Sequence, residues 1–252
     1  MIRIKAVRPR RPQQPRVAGL RVAAAQLPAD RGARVGGDLY DVVATAHGVR
    51  VVMGDVRGHG TSAVAAAAAL LDGFRAAVHD EPDLGRVLSR LERALARHLG
   101  ERARHEHPVA EEFATVLLLE IDGDGAVRGL NCGHPWPYLL SETSVAPLTS
   151  ADPLPPLGVF PLPCDPPLVS AGRLAPGETL VLYTDGAEDA RDAHGRFFPL
   201  RSTLTTALRT SPAQILHTVL NSLTHHTPGT PTDDIALLLL RNDRPAPTKR
   251  PR

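Results

Sequence analysis

Cysteine, lysine and aromatic residues are all scarce in this chain. There are two cysteines and two lysines, and aromatics make up 4% of 252 residues. Cys132 and Cys164 are too few for a disulfide framework, so a reducing, cytoplasmic setting is expected. Few aromatics leave no stacking platform for single-stranded nucleic acid. A formal net charge of +2 supplies no global field toward nucleic acid either. Long apolar runs are also missing. Ala63 to Leu71, the longest small-apolar stretch, falls far short of the roughly 20 residues that span a bilayer. The opening MIRIKAVRPRRPQQPR has no apolar stretch after its charges, so no signal peptide is expected. Neither a nucleic acid nor a membrane is an expected partner.

Arginine is abundant. Lys5 and Lys249 are the only lysines among 29 basic residues, which leaves 27 arginines. With the many alanines and prolines, this bias reads as the mark of a GC-rich genome. Residues 1–16 and 242–252 are basic and proline-rich and are expected to be disordered tails. Residues 17–241 are long enough to bury the core of one domain.

Within that domain, VGGDLYDVVATA and VRVVMGDV read as strands around a turn at His47-Gly48. That turn predicts Asp55 opposite Tyr40 and Asp38 opposite Arg57. Asp38 and Asp55 would then share a face as diagonal neighbours, with Cα atoms roughly 7–8 Å apart. A helix capped by Ser62 is expected after Gly60. A second has Leu84, Val87, Leu88, Leu91, Leu95 and Leu99 on one face, with Asp83 as its cap. Residues 100–111 read as a charged loop. Strands resume at EFATVLLLEI, turn through DGDG and return as AVRGLNCGH. A proline-rich connection, 147–167, follows, and ETLVLYTD reads as a buried strand. Helices are expected over 199–209 and 212–225, the second with a capping box at Ser211 and Gln214. IALLLLR is the last strand. If it runs antiparallel to 178–185, Asp185 meets Asp233.

Asp38, Asp55, Asp185 and Asp233 each stand where an apolar run meets a turn. Aspartate beside glycine often only marks a turn, and Asp122, Asp124 and Asp189 are read that way. The other four converge on one rim. Carboxylates that close cannot all ionise unless cations neutralise them, and hard divalent metals suit such oxygens.

GGDLYD (36–41), GDVRGHG (54–60), EFATVLLLEID (112–122), NCGHPWPYLL (131–140), LYTDGAEDAR (182–191) and TDDIALLLLR (232–241), in this order, resemble the SpoIIE-type branch of the PPM metal-dependent serine/threonine phosphatases, which are protein phosphatase 2C-like. The resemblance implies an α+β fold of two packed antiparallel β-sheets flanked by helices, an αββα sandwich. It implies two Mn²⁺ or Mg²⁺ ions and a bridging water that hydrolyses phosphoserine or phosphothreonine on a protein. In bacteria that substrate is often an anti-sigma-factor antagonist. Asp55 would bridge the ions, the backbone carbonyl of Val56 would bind one, and Asp185 and Asp233 the other. Asp38 would act through water, Asp234 is a further candidate ligand, and His59 a candidate proton donor to the leaving group. The pattern usually has Thr where Ala236 stands, which would loosen the site, and Ala where Cys132 stands.

Other phosphatase chemistries fit badly. A cysteine phosphatase needs an arginine six residues after its thiolate, where this chain has Tyr138 and Ser170. An aspartyl-nucleophile hydrolase of the haloacid dehalogenase type wants a mid-chain lysine, and both lysines are terminal. The alternative from another class is a non-catalytic regulatory module of the PPM fold that binds a partner protein.

Overall fold

The computed structural model describes residues 15–29, 36–58, 60–104, 112–229 and 232–245. His59, the candidate proton donor, lies outside them, as do residues 105–111 of the charged loop. Of the expected tails, residues 1–14 and 246–252 also lie outside.

Two antiparallel sheets pack face to face. The first runs β1 (Arg16–Val17), β2 (Leu20–Leu27), β11 (Ile235–Asn242), β10 (Thr179–Tyr183), β7 (Tyr138–Leu140), β8 (Val145–Pro147). The second runs β3 (Asp38–Thr45), β4 (Gly48–Val56), β5 (Ala114–Ile121), β6 (Ala126–Cys132), β9 (Val169–Arg173). Arg16 and Asn242, read as tail residues, thus belong to strands. Helices α1 (Thr61–Ala77) and α2 (Leu84–Ala103) cover the second sheet. Helices α4 (Leu200–Thr206) and α5 (Pro212–His226) cover the first.

The apolar pattern explains the layering. β11 sends Ile235, Leu237 and Leu239 toward α4 and α5, and Ala236, Leu238 and Leu240 between the sheets. β5 does the same, with Val116 and Leu118 toward α1 and α2, and Leu117, Leu119 and Ile121 between the sheets. Strands buried on both faces must be apolar at every position, which is why TVLLL and IALLLL lack polar alternation.

Helix starts follow local chemistry. Asp83 accepts the Arg86 N–H at 2.8 Å and caps α2. Ser211 and Gln214 form the capping box of α5, with Pro212 first in the helix. Two expectations fail here. Gly60, not Ser62, precedes α1, and the Ser62 hydroxyl bonds Glu112 instead. The second helix runs on to Ala103, into the stretch read as loop.

The β3–β4 register also differs from the expected one. Thr45 pairs with Gly48, so the turn is Ala46-His47, and Asp38 lies directly opposite Asp55. The Thr45 side chain decides this. Its hydroxyl donates to the Gly48 carbonyl and accepts the His47 N–H, each at 3.0 Å. A shift of two residues keeps both aspartates on one face but brings their Cα atoms to roughly 4.5–5.5 Å.

The connection between α1 and α2 is fixed by a buried cation. Arg50 on β4 is fully buried; its Nε donates to Glu120 at 2.8 Å. Its remaining nitrogens donate to the carbonyls of Val78, Glu81 and Pro82. Glu120 also pairs with Arg128 at 2.7 Å, so its charge is shared by two guanidiniums.

Candidate metal centre

Asp38 opens β3, Asp55 lies one residue before the end of β4, Asp185 follows β10, and Asp233 precedes β11. β10 and β11 are antiparallel, with Tyr183 paired to Leu237, so Asp185 and Asp233 meet as expected. The acids therefore collect at one end of the sandwich, two from each sheet.

Glycines permit the close approach. A Cβ on Gly37 would stand 2.7 Å from the Val56 carbonyl oxygen and 3.3 Å from Asp55 Oδ1. A Cβ on Gly186 would stand 2.1 Å from the Asp234 carbonyl oxygen. Any side chain at either position would push neighbouring strand ends of its own sheet apart, β3 from β4 or β10 from β11.

Asp38 is buried, and its Oδ2 accepts the Thr184 hydroxyl at 3.0 Å. Its Oδ1 is buried with no hydrogen-bond partner among the described residues. Burial, then the neighbouring Asp55, pushes the Asp38 carboxyl up to about 9. Burial, then Asp185 and Asp233, pushes Asp55 up to about 7. Asp185 is raised by burial and by Asp233. Asp233 is raised by burial, against the pull of the Asp234 N–H. Each acid thus holds its proton more tightly chiefly because it is buried, with neighbouring carboxylates adding to the effect.

Thr184 is a site residue that sequence reasoning missed. It is fully buried, donates to Asp38, and accepts the Ala236 N–H at 2.8 Å. One hydroxyl ties β3 to β11 across the two sheets. The sequence signal was present: a threonine directly before the aspartate of LYTDG, just after the apolar run LVLY.

Asp234 accepts the Ala29 N–H with one oxygen and the Gly37 N–H with the other, each at 2.9 Å. It braces the backbone that leads into Asp38. Arg57 lays its guanidinium over the Phe113 ring, 5.1 Å from the centroid. His134 is buried in the turn closed by Asn131, its Nδ1 lies 2.9 Å from the Thr115 hydroxyl, and burial lowers its imidazole to about 3. A neutral imidazole there is a hydrogen-bonding strut. Burial pushes the Cys132 thiol up to about 12, which makes it inert.

The donor set suits Mg²⁺ or Mn²⁺. It consists of hard oxygens, carries surplus negative charge, and includes an unpartnered buried carboxylate oxygen. Among the described residues no three His, Cys, Asp or Glu side chains group tightly enough to hold one ion by themselves. The acids are spread along the rim instead, each close enough to others to raise their proton affinity. Mg²⁺ is usually held by one or two carboxylates and keeps several waters, so a spread set fits it better than a closed cage would.

A sequence model of the family described as Stage II sporulation protein E (SpoIIE) matches residues 45–243. Among solved structures, the RsbU and RsbW domains of Rv1364c from Mycobacterium tuberculosis align with a TM-score of 0.72 at 24% identity, covering 93% of this chain and 64% of that one. The PP2C phosphatase domain with a regulatory fragment of SpoIIE from Bacillus subtilis aligns at 0.69 and 16% identity, covering 90% and 64%. RsbX in complex with magnesium aligns at 0.61 and 19% identity, covering 88% and 94%. At these identities the likeness is one of fold. This chain spans less than two thirds of the length of the first two.

Proposed function

The chain belongs to the SpoIIE family of PPM-type phosphatases, and we propose that it is a working member, hydrolysing phosphoserine or phosphothreonine on a protein with divalent metal ions. The observation that carries this reading is the rim of four carboxylates, drawn from both sheets, with raised proton affinities. Nothing on the protein side neutralises them among the described residues. A fold that keeps such a cluster has a use for the cation that offsets it.

In this reading Asp55, Asp185, Asp233 and the Val56 carbonyl hold Mn²⁺ or Mg²⁺, with Asp38 acting through water. Bound divalent ions supply Lewis acidity toward phosphoryl oxygens and acidify water. The chain's own part is positioning. Thr184 fixes the orientation of Asp38, Asp234 fixes the backbone into it, and Gly37 lets the Val56 carbonyl approach. Hydrolysis breaks the bond between phosphorus and the serine or threonine oxygen. Water supplies the hydroxyl that stays on phosphorus and the proton that the leaving oxygen takes up. No side-chain nucleophile is required, which agrees with the inert Cys132.

The protein substrate is proposed to be a bacterial regulatory protein such as an anti-sigma-factor antagonist. That reading is supported by the RsbU, RsbW and SpoIIE domains among the structural neighbours. Ala236 does not argue for a non-catalytic module, because Thr184 already donates to Asp38 and takes up the Ala236 N–H.

The test is hydrolysis of a generic aryl phosphate with Mn²⁺. EDTA should abolish turnover and added Mn²⁺ restore it. Asp55→Ala and Asp185→Ala should each lose activity by at least about a hundredfold, on the scale of lost electrostatic stabilisation in a site. Their folded circular dichroism should be kept. An unaltered protein that binds Mn²⁺ but turns over nothing would favour the partner-binding module.

A further inference from the structure

The formal net charge of +2 hides a division of charge along the chain. Residues 1–16 hold six basic side chains and no acid, and residues 241–252 hold five against Asp243 alone. These two stretches therefore carry a net +10, and residues 17–240 carry −8. The fold brings the stretches to one corner, because β1 and β11 flank β2 in the first sheet. The acid rim stands at the other end of that sheet, where α3 (Gly186–Asp189) leaves β10. The extended chain between Asp234 and Arg241 separates the two ends by about 23 Å.

At the corner the strands set three arginines side by side. Arg16 pairs with Arg21, and Arg21 with Arg241, so all three stand on one face of adjacent strands, about 5 Å apart. Like charges directly opposed repel. One carboxylate holds them: Asp243 lies 3.3 Å from Arg16, 2.6 Å from Arg21 and 3.6 Å from Arg241. Arg241 also donates to the Thr210 carbonyl at 3.0 Å. Arg244 pairs with no carboxylate among the described residues and donates to the carbonyls of Ala18 and Asp122. Nearby acids do not make up the difference. Asp124 is paired with Arg173, Asp122 accepts the Ala126 N–H, and Glu178 accepts the Ala175 N–H. Three guanidiniums thus share one carboxylate, and a fourth has none.

The surplus is accessible. The Arg16 side chain is 62% exposed, whereas that of Asp243 is 15% exposed. A guanidinium carries five N–H donors, more than these contacts use. Asp243 also shows which anion fits, a carboxylate held by several guanidiniums at once. A flat row on a sheet face enters no nucleic-acid groove, and no aromatic stands among the residues it bonds. The large apolar side chains exposed among the described residues, Val159, Phe160, Leu168 and Phe197, lie elsewhere, so the corner has nothing to insert into a lipid surface.

We propose that this corner docks an acidic segment of a partner protein, whose aspartates or glutamates bind the donors that Asp243 leaves free. The basic residues of 1–14 and 246–252, tethered to the same corner, add to the field that steers such a segment there. Docking leaves the acid rim open, and the proposal does not depend on the phosphatase reading.

The probe is a labelled oligoglutamate peptide, with oligoglutamine of equal length as its control, titrated with the full chain and followed by fluorescence anisotropy. Oligoglutamate should bind and oligoglutamine should not. Binding should weaken at least about fivefold between roughly 50 and 300 mM NaCl, as the Debye length shortens. Arg16→Gln alone, at the exposed edge, should weaken it about threefold, and Arg16→Gln with Arg241→Gln about tenfold, the scale of one and two exposed ion pairs. Arg16→Lys with Arg241→Lys should keep most of the affinity. Equal affinity for the two peptides would overturn the proposal. So would binding that the arginine-row variants leave untouched and that Arg8→Gln, Arg10→Gln and Arg11→Gln together abolish. Tighter binding to phosphatidylserine vesicles or to duplex DNA than to oligoglutamate would assign the corner to another partner and equally overturn it. Aryl phosphate turnover should be the same in the row variants and the unaltered protein. If the unaltered protein turns over nothing, the phosphatase reading fails while the peptide result stands.

Discussion

The Thr184 hydroxyl makes two buried bonds, and each end matters. Thr184→Val keeps the shape but strands the Ala236 N–H and removes the donor to Asp38. An unsatisfied buried polar group costs about 1–3 kcal/mol. Denaturant unfolding should report that loss, and Thr184→Ser should recover most of it. The crowded acids make a further prediction about pH. Asp38 and Asp55 bind protons more tightly folded than unfolded, since both are raised above 3.8, to about 9 and about 7. The stability this confers is complete below the unfolded carboxylate pKa and is lost as pH rises through about 7 and then about 9. The metal-free protein should therefore melt lower at pH 9 than at pH 6, and Asp38→Asn should shrink that difference. A metal-free Tm that does not fall between those values would contradict the raised proton affinities of these buried acids. At this scale the sequence was informative about which acids gather, because each sits at the end of an apolar run. Asp234 was read there only as a further candidate ligand; its bracing role depends on two distant backbone amides that no local pattern announces.

Hairpins and helix ends show where local chemistry decides and where it is overruled. The capping box of α5 and the Asp83 cap of α2 were legible because all their atoms lie within four residues. The β3–β4 turn lies one residue earlier than expected, which shifts the register by two, because the Thr45 side chain rather than a glycine dipeptide closes it. Ser62 was misread because Glu112, fifty positions on, captures its hydroxyl. Arg50 belongs to the same group, as a lone arginine inside an apolar strand whose partners come from β5 and from the α1–α2 connection. Arg50→Leu would leave Glu120 half paired and three carbonyls without their donor. Removing one partner of a buried pair typically destabilises by about 3–5 kcal/mol. Arg128 still bonds Glu120, so the lower end is expected, read as a drop in the urea midpoint. A loss under about 1 kcal/mol would mean the connection is held by packing alone.

Across the whole molecule, the four-layer arrangement was what the family resemblance implied, and runs such as ALLLL and the one-sided leucine pattern of α2 agree with it. Strand order was not legible in the residues. That β2 lies beside β11, and that β9 closes the edge of the second sheet, depends on pairings between segments far apart in the chain. The site is a product of that order, because it exists only where the ends of β3, β4, β10 and β11 come together. No helix among the described residues is long and apolar enough to cross a membrane. The measurement that bears most directly on this assembly is calorimetric titration of Mn²⁺ into the metal-free protein near pH 7, in buffers of different ionisation heat. Binding should release protons, because burial and neighbouring carboxylates make Asp38 and Asp55 hold them, and it should weaken at least tenfold in both Asp55→Ala and Asp185→Ala, one variant from each sheet. Absent binding, or binding that neither variant alters and that releases no protons, would contradict a metal centre shared by the two sheets.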